Sequence, residues 1–193
     1  MTKVVAHMSM SVDGFVADPD DGCTDLFGWY GNGDVEVPTA DSRWTFHVAP
    51  ASAPVLRGAL TRAGALVCGR RLFDHTKGWG GNHPAGVPLF VVTHRPPADW
   101  PHPATFVTDG VASAIEQAKA VAGGKDVSAA STTIVQQALD AGLLDEIEVN
   151  LVPVLLGRGI PFFANLAKHP VRLSDPEIVA GTGVTHLRYQ VLR

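Results

Sequence analysis

Residues Ile147 to Leu156 are apolar except at Glu148 and Asn150, and Pro153 punctuates them. Hydrophobic side chains facing both ways suit a central strand in a sheet covered on both faces. The flanks sharpen this reading. Ala138, Leu139 and Gly142-Leu143-Leu144 look like the last turn of a helix closed by glycine, and Asp145-Glu146 then opens the strand. Gly157-Arg158-Gly159 breaks the run at its C-terminal end, where bare backbone lets another molecule approach closely. A strand followed by a tight turn, with no ligand, fits the same residues.

The remaining chain alternates between strand and helix patterns. Val4 to Ser11 predicts the first strand, and Ala65 to Cys68, Pro88 to Thr93, Ala104 to Val107 and Asp126 to Ala129 predict others. Helical spacing covers Pro50 to Ala63, Val111 to Val121 and Thr132 to Ala141, with a short helix over Leu72 to Lys77. Val171 to Val179 and Thr185 to Leu192 predict a closing antiparallel hairpin around Gly181-Thr182-Gly183. This order gives one domain of three α/β/α layers around a mixed, mostly parallel sheet. With 193 residues the chain is long enough for one substantial core.

Ala17 to Thr45 holds no sustained period, yet structureless loops beyond ~12–15 residues are uncommon inside a compact domain. Its Phe27, Trp29, Tyr30 and Trp44, with Phe46 just beyond, predict an ordered cover over a site.

Charge and composition exclude several classes. A formal charge of −4 offers no basic footprint, so nucleic acid is not expected as a partner. Cys23 and Cys68 form no Cys-x-x-Cys pair and fit a reduced, cytoplasmic setting. No apolar run approaches the ~18 residues of a membrane span, and the N-terminus is too short and interrupted for a signal peptide. Hydrolase, zinc-protease and P-loop motifs are missing, as is the Rossmann Gly-x-Gly-x-x-Gly. The histidines, among them His7, His75, His83 and His94, show no ligand spacing, so no metal is expected.

Four places carry residues suited to chemistry. Gly69-Arg70-Arg71 joins a strand end to a helix start, which offers free N–H groups and a forked donor to a phosphate. Thr93 and Arg95 follow the next strand, and a guanidinium beside a hydroxyl suits a ribose 2′-phosphate, hence NADPH over NADH. Surface arginines at strand ends are the plain alternative. Asp13, in Ser11-Val12-Asp13-Gly14, is first a turn signal and second a carboxylate at the mouth of the sheet. Trp79, between Gly78 and Gly80-Gly81, either stacks on a heterocycle or fills a core gap.

Taken together, GLLDEIEVNLVPVLLGRGIPFF (Gly142 to Phe163), MSMSVDG (Met8 to Gly14), LVCGRRLFD (Leu66 to Asp74) and LFVVTHRP (Leu89 to Pro96) resemble the dihydrofolate-reductase-like family. They are most similar to its branch containing the reductase domain of bacterial riboflavin biosynthesis. The four motifs fall in the family's order over nearly the whole chain. The resemblance implies an NADPH-dependent reductase of a small heterocycle, pterin-like or ribosylaminopyrimidine-like. It places the adenosine phosphates at Gly69-Arg70 and Thr93-Arg95 and the nicotinamide near Leu156-Gly157, and it favours a site role for Asp13; Trp79, with both of its readings open, is the other catalytic candidate. It also implies a symmetric homodimer built on the C-terminal strands. The zinc-ligand motifs of a fused deaminase are missing, which favours a stand-alone reductase.

The chain departs from the family pattern at one point. Relatives carry Gly-Gly before the helix at Thr132, where this sequence reads Ala129-Ala130-Ser131-Thr132. Side chains at Ala130 and Ser131 crowd a pyrophosphate, while hydroxyls and N–H groups at a helix start still favour an anion. A non-catalytic small-molecule binder on the same fold is the rival this substitution supports.

Overall fold

A computed structural model describes residues 2–193. The chain runs β1 (Val4–Ser11), β2 (Phe15–Ala17), α1 (Thr24–Phe27), a 3₁₀ turn (Gly28–Gly31), β3 (Val35–Pro38), β4 (Thr45–Val48), α2 (Ser52–Arg62), β5 (Ala63–Gly69) and α3 (Arg70–His75). A turn at Lys77–Gly81 leads to β6 (Leu89–Val92), β7 (Thr105–Val107), α4 (Val111–Val121), β8 (Asp126–Ala130), α5 (Thr132–Asp140), β9 (Glu146–Val152), β10 (Ile160–Pro161), β11 (Glu177–Gly181) and β12 (Val184–Gln190). Eight strands form the main sheet in the order β11-β12-β9-β1-β8-β5-β6-β7. The pairs from β9 to β7 are parallel, and β12 and β11 add antiparallel strands at one edge.

Sheet pleating decides what each face holds. On one face Val4, Ala6, Val67, Val127, Ala129, Ile147 and Val149 meet Ala114, Ile115 and Ala118 of α4 and Ile134, Val135 and Ala138 of α5. This is the dry core. Glycine ends α5 as the sequence suggests: Gly142 has φ 70°, its N–H donates to Leu139 O at 3.0 Å, and Leu143 N–H donates to Ala138 O at 2.9 Å. That pattern satisfies the last carbonyls of the helix.

The opposite face of β1 and β9 is polar. His7 pairs in register with Glu148 and Ser9 with Asn150, and β12 brings His186 beside Asn150 and Arg188 beside Glu148. Glu146, fully buried, takes hydrogen bonds from Lys3 and from Arg188 at 2.6 and 2.9 Å. Burial raises its pKa, but the bonds from Lys3, Gln190 and Arg188 outweigh this and pull it down to about 2.

Two strand boundaries differ from expectation. The strand expected over Ile147 to Leu156 stops at Val152, because Pro153 lacks an N–H and the chain turns at once, Val154 N–H bonding to Val152 O. Val171 to Val179 becomes strand only from Glu177. Before that, Leu173 makes a single bridge to Val191, and Ser174 ties itself to Gln190. The Ala17 to Thr45 segment is ordered through α1, the 3₁₀ turn and the β3–β4 hairpin. No helix among the described residues is long and apolar enough to cross a membrane.

Candidate active site

A cavity of about 610 Å³ opens on the polar face of the sheet, between β1, β8 and β9 below and α2 beside them. Phe27, Tyr30, Trp44 and Phe46 from the ordered cover line it, and Trp79 closes another side. Trp29 serves differently: it is buried, with its indole N–H donating to Ser9 Oγ at 3.1 Å. Phe27, Tyr30 and Phe46 stack in series at 5.5 and 4.5 Å, forming a flat apolar wall suited to a planar ring.

Trp79 sits in an unusual backbone. Lys77, Gly78, Trp79, Gly80 and Gly81 all have positive φ, between 50° and 85°, making one left-handed turn. Glycines accept that conformation readily, whereas Lys77 and Trp79 hold it at an energetic cost. Arg43 braces the turn by donating to Trp79 O at 3.0 Å. The indole meets the His83 ring edge-on at 4.8 Å.

The second part of the site lies at the C-terminal ends of β5, β6 and β8. Gly69 N–H donates to Ser131 Oγ at 3.1 Å. Arg70 donates to both carboxylate oxygens of Asp74 and to Arg95 O, while Thr93 Oγ1 accepts from Arg95 N–H at 3.1 Å. These bonds bring Gly69, Arg70, Thr93, Arg95, Ser131 and Thr132 to one edge. The guanidinium of Arg70 is occupied, and that of Arg95 is exposed without a bond among the described residues. Ser131 has φ 79° and ψ 144°, glycine's territory, and its side chain leaves the first amides of α5 uncapped. Uncapped N–H groups, a close glycine and a free arginine fit a phosphate-bearing cofactor.

Asp13 lies elsewhere. Its carboxylate accepts from Ser11 Oγ at 2.6 Å, Leu156 N–H at 3.1 Å and Gly157 N–H at 2.6 Å. The Ser11 bond first, and then the two amides, hold its pKa below the usual carboxylate value. Asp13 thus fastens the loop after β9 to the end of β1, and it does not line the cavity. Trp79 and Ala130 do line it.

Of the polar residues to which sequence reasoning gave no role, His7, Glu148 and Asn150 line the cavity floor, and His186 and Ser52 support them from behind. His7 and His186 bond the two ends of the Asn150 amide at 2.9 and 2.7 Å, and His186 reaches Ser52 Oγ at 2.9 Å. Glu148 pairs with Arg62 at 2.5 Å and Arg188 at 3.5 Å. Alternation offered the signal: His7 and Ser9 on β1, and Glu146, Glu148 and Asn150 on β9, put polar groups on every second position of central strands. No group of three or more His, Cys, Asp or Glu residues among those described is placed to hold a metal.

Residues 2–187 match the model of the RibD C-terminal domain, and the chain belongs to that family. No curated protein sequence matches it significantly. A Shewanella sp. PV-4 protein named for riboflavin biosynthesis has a similar structure, with TM-score 0.72 and 22% identity, covering 100% of both chains. A Thermotoga maritima diaminohydroxyphosphoribosylaminopyrimidine deaminase/5-amino-6-(5-phosphoribosylamino)uracil reductase aligns at TM-score 0.61 and 11% identity; 99% of this chain covers 57% of that one. The Enterococcus faecalis dihydrofolate reductase complexed with NADP(H) aligns at TM-score 0.59 and 13% identity, covering 99% and 97% of the two chains. The fold is therefore dihydrofolate-reductase-like.

Proposed function

We propose that this protein is an NADPH-dependent reductase of a small heterocycle. One observation carries the reading: Ala130, in the wall of the aromatic cavity, is joined directly to Ser131 at the uncapped start of α5. An extended dinucleotide can hold its phosphates at α5 and the Gly69 edge while its other end enters the cavity. NADPH, when bound, supplies the hydride. Ser131, Thr132 and Gly69 would hold its phosphates, and Arg95 would face the 2′-phosphate. The aromatic wall and Trp79 would orient the substrate and exclude water.

Titration with NADPH and with NADH, read by quenching of tryptophan fluorescence, tests this. Micromolar binding with a preference for NADPH is expected. No binding of either would favour the second reading, a small-molecule binder that does no redox chemistry. The occupation of Gly69 N–H by Ser131 Oγ is what supports that rival.

A further inference from the structure

The cavity holds two carboxylates, and neither is free. Arg62 lies 2.5 Å from Glu148 and 3.7 Å from Asp126, and Arg188 adds a second cation to Glu148. The α2 residues that face the cavity, including Leu56, Ala59 and Leu60, are apolar except for Arg62 itself. A substrate edge rich in N–H donors therefore finds no uncommitted anion here.

Uncommitted donors are present instead. His83 Nδ1 accepts from Ala85 N–H at 3.1 Å, so the neutral ring carries its proton on Nε2. On the floor, Asn150 Nδ2 donates to His7 Nε2, which leaves the His7 proton on Nδ1. The rest of the chain agrees: His186 Nδ1–H donates to Asn150 Oδ1, and Ser52 donates to His186 Nε2. Burial pushes His83 down to about 4 and also holds His7 below its ordinary value, which keeps both rings neutral at pH 7. Among the described residues, Trp100 Nε1 is the buried side-chain polar atom left without a partner. His7 Nδ1 and His83 Nε2 also lack protein partners, so they must reach open space, and both residues line the cavity.

We propose that His7 and His83 are the specificity-determining donors of this cavity, reading an oxo group on the substrate ring. Asn150, His186 and Ser52 are positioning residues that set which nitrogen of His7 faces the ligand. The proposal rests on the cavity being the substrate site. It adds a selection rule to that reading: rings whose polar edge accepts hydrogen bonds are taken over rings whose edge donates them. A buried donor left unpaired by the wrong ring carries the full desolvation penalty, which is why such sites discriminate strongly.

Two measurements test it. Long-range ¹H–¹⁵N NMR of the histidine rings should show His7 protonated on Nδ1 and His83 on Nε2, assigned through His7→Gln and His83→Gln. A proton on Nε2 of His7 would overturn the assignment of donors. Calorimetric titration of the NADPH-saturated protein should then compare pteridine-2,4-dione with 2,4-diaminopteridine, which share a ring and differ at the edge. The dione should bind at least about tenfold tighter, and His7→Phe or His83→Phe should erase that ratio. Equal or reversed affinity, no binding of either ring, or a ratio that survives both substitutions would each sink the proposal. Should NADPH fail to bind, the same titration on the protein alone still reads the ratio, so loss of the cofactor reading is told apart from loss of this one.

Discussion

The amide of Gly69 donates to the hydroxyl of Ser131 at 3.1 Å, tying the ends of β5 and β8 together. A Cβ built on Gly69 would lie 3.1 Å from the same oxygen, so a side chain there would have to push the Ser131 hydroxyl aside. Ser131, and not Ala130, holds the left-handed backbone. Ser131→Gly should relieve about 1–3 kcal/mol of strain. It gives back about 0.5–1 kcal/mol in chain entropy and about 1 kcal/mol for the lost bond, for a net stability change near zero. It also frees Gly69 N–H, so NADPH should bind more tightly. Ala130→Gly should only destabilise, by about 0.5–1 kcal/mol, without improving affinity. Thermal melts and NADPH titrations of the two single variants decide this. Tighter binding from Ala130→Gly alone would contradict the account.

Arg95 is the exposed cation at that edge, whereas Arg70 is held by Asp74 and the Arg95 carbonyl. Arg95→Ala should weaken NADPH by about 1.5–3 kcal/mol and leave NADH nearly unchanged. Fluorescence titration with both cofactors reads the difference. Equal losses would remove Arg95 from the 2′-phosphate.

Asp13 is expected to act through the loop it fastens. Asp13→Ala removes the acceptor for Leu156 and Gly157 N–H, so these two amides should exchange with deuterium faster than in the native protein. Asp13→Asn keeps one oxygen and should fall between. Because the carboxyl's pKa is depressed in the fold, this clamp is present above the unfolded value and is released as pH falls. Unchanged exchange in Asp13→Ala would mean that the loop is held by other contacts.

Much of this architecture is readable from the chain. Gly142 marks the end of α5, and the Val111 to Val121 helix coincides with its predicted span, because local capping and a 3.6-residue apolar period decide both. The stop at Val152 was obscured because an apolar run does not reveal where ladder partners end; Leu155, 71% exposed, has the composition of a strand and none of its neighbours. Arg70 illustrates the limit at the site. Its position at a strand end is visible in the sequence, but its capture by Asp74 depends on how α3 turns. The His7–Asn150–His186–Ser52 chain joins residues far apart in sequence, so only the sheet order brings them together.

Buried histidines make acid stability a sharp test. Burial depresses His186 and His83 from 6.5 to about 4. Between those values the unfolded chain binds protons that the fold excludes, so stability is full above about pH 6.5 and falls as pH drops towards 4. Glu146 adds a second loss in a lower window, from 4.5 towards 2. Urea unfolding across this range should show the first decline, and His186→Gln should flatten part of it. A flat profile from pH 7 to 4.5 would show that these rings take up protons in the fold as readily as in the unfolded chain.

The outer strand β11 gives the last prediction. Its residues Glu177 to Ala180 are exposed, with Ile178 62% and Val179 38% accessible, and no strand among the described residues lies beside its outer edge. Alternate residues point to opposite faces, so an apolar side chain stands bare on each side of an open edge. Leu192 and Leu173, 51% and 36% exposed, are further uncovered apolar residues of the C-terminal segment. A second copy related by a twofold axis would cover such a surface with the same surface, burying on the order of 1,600 Å². Light scattering at micromolar concentration should therefore give about twice 20.4 kDa, and Ile178→Lys should return the mass to 20.4 kDa without unfolding the protein. A native mass of 20.4 kDa would rule out this dimer.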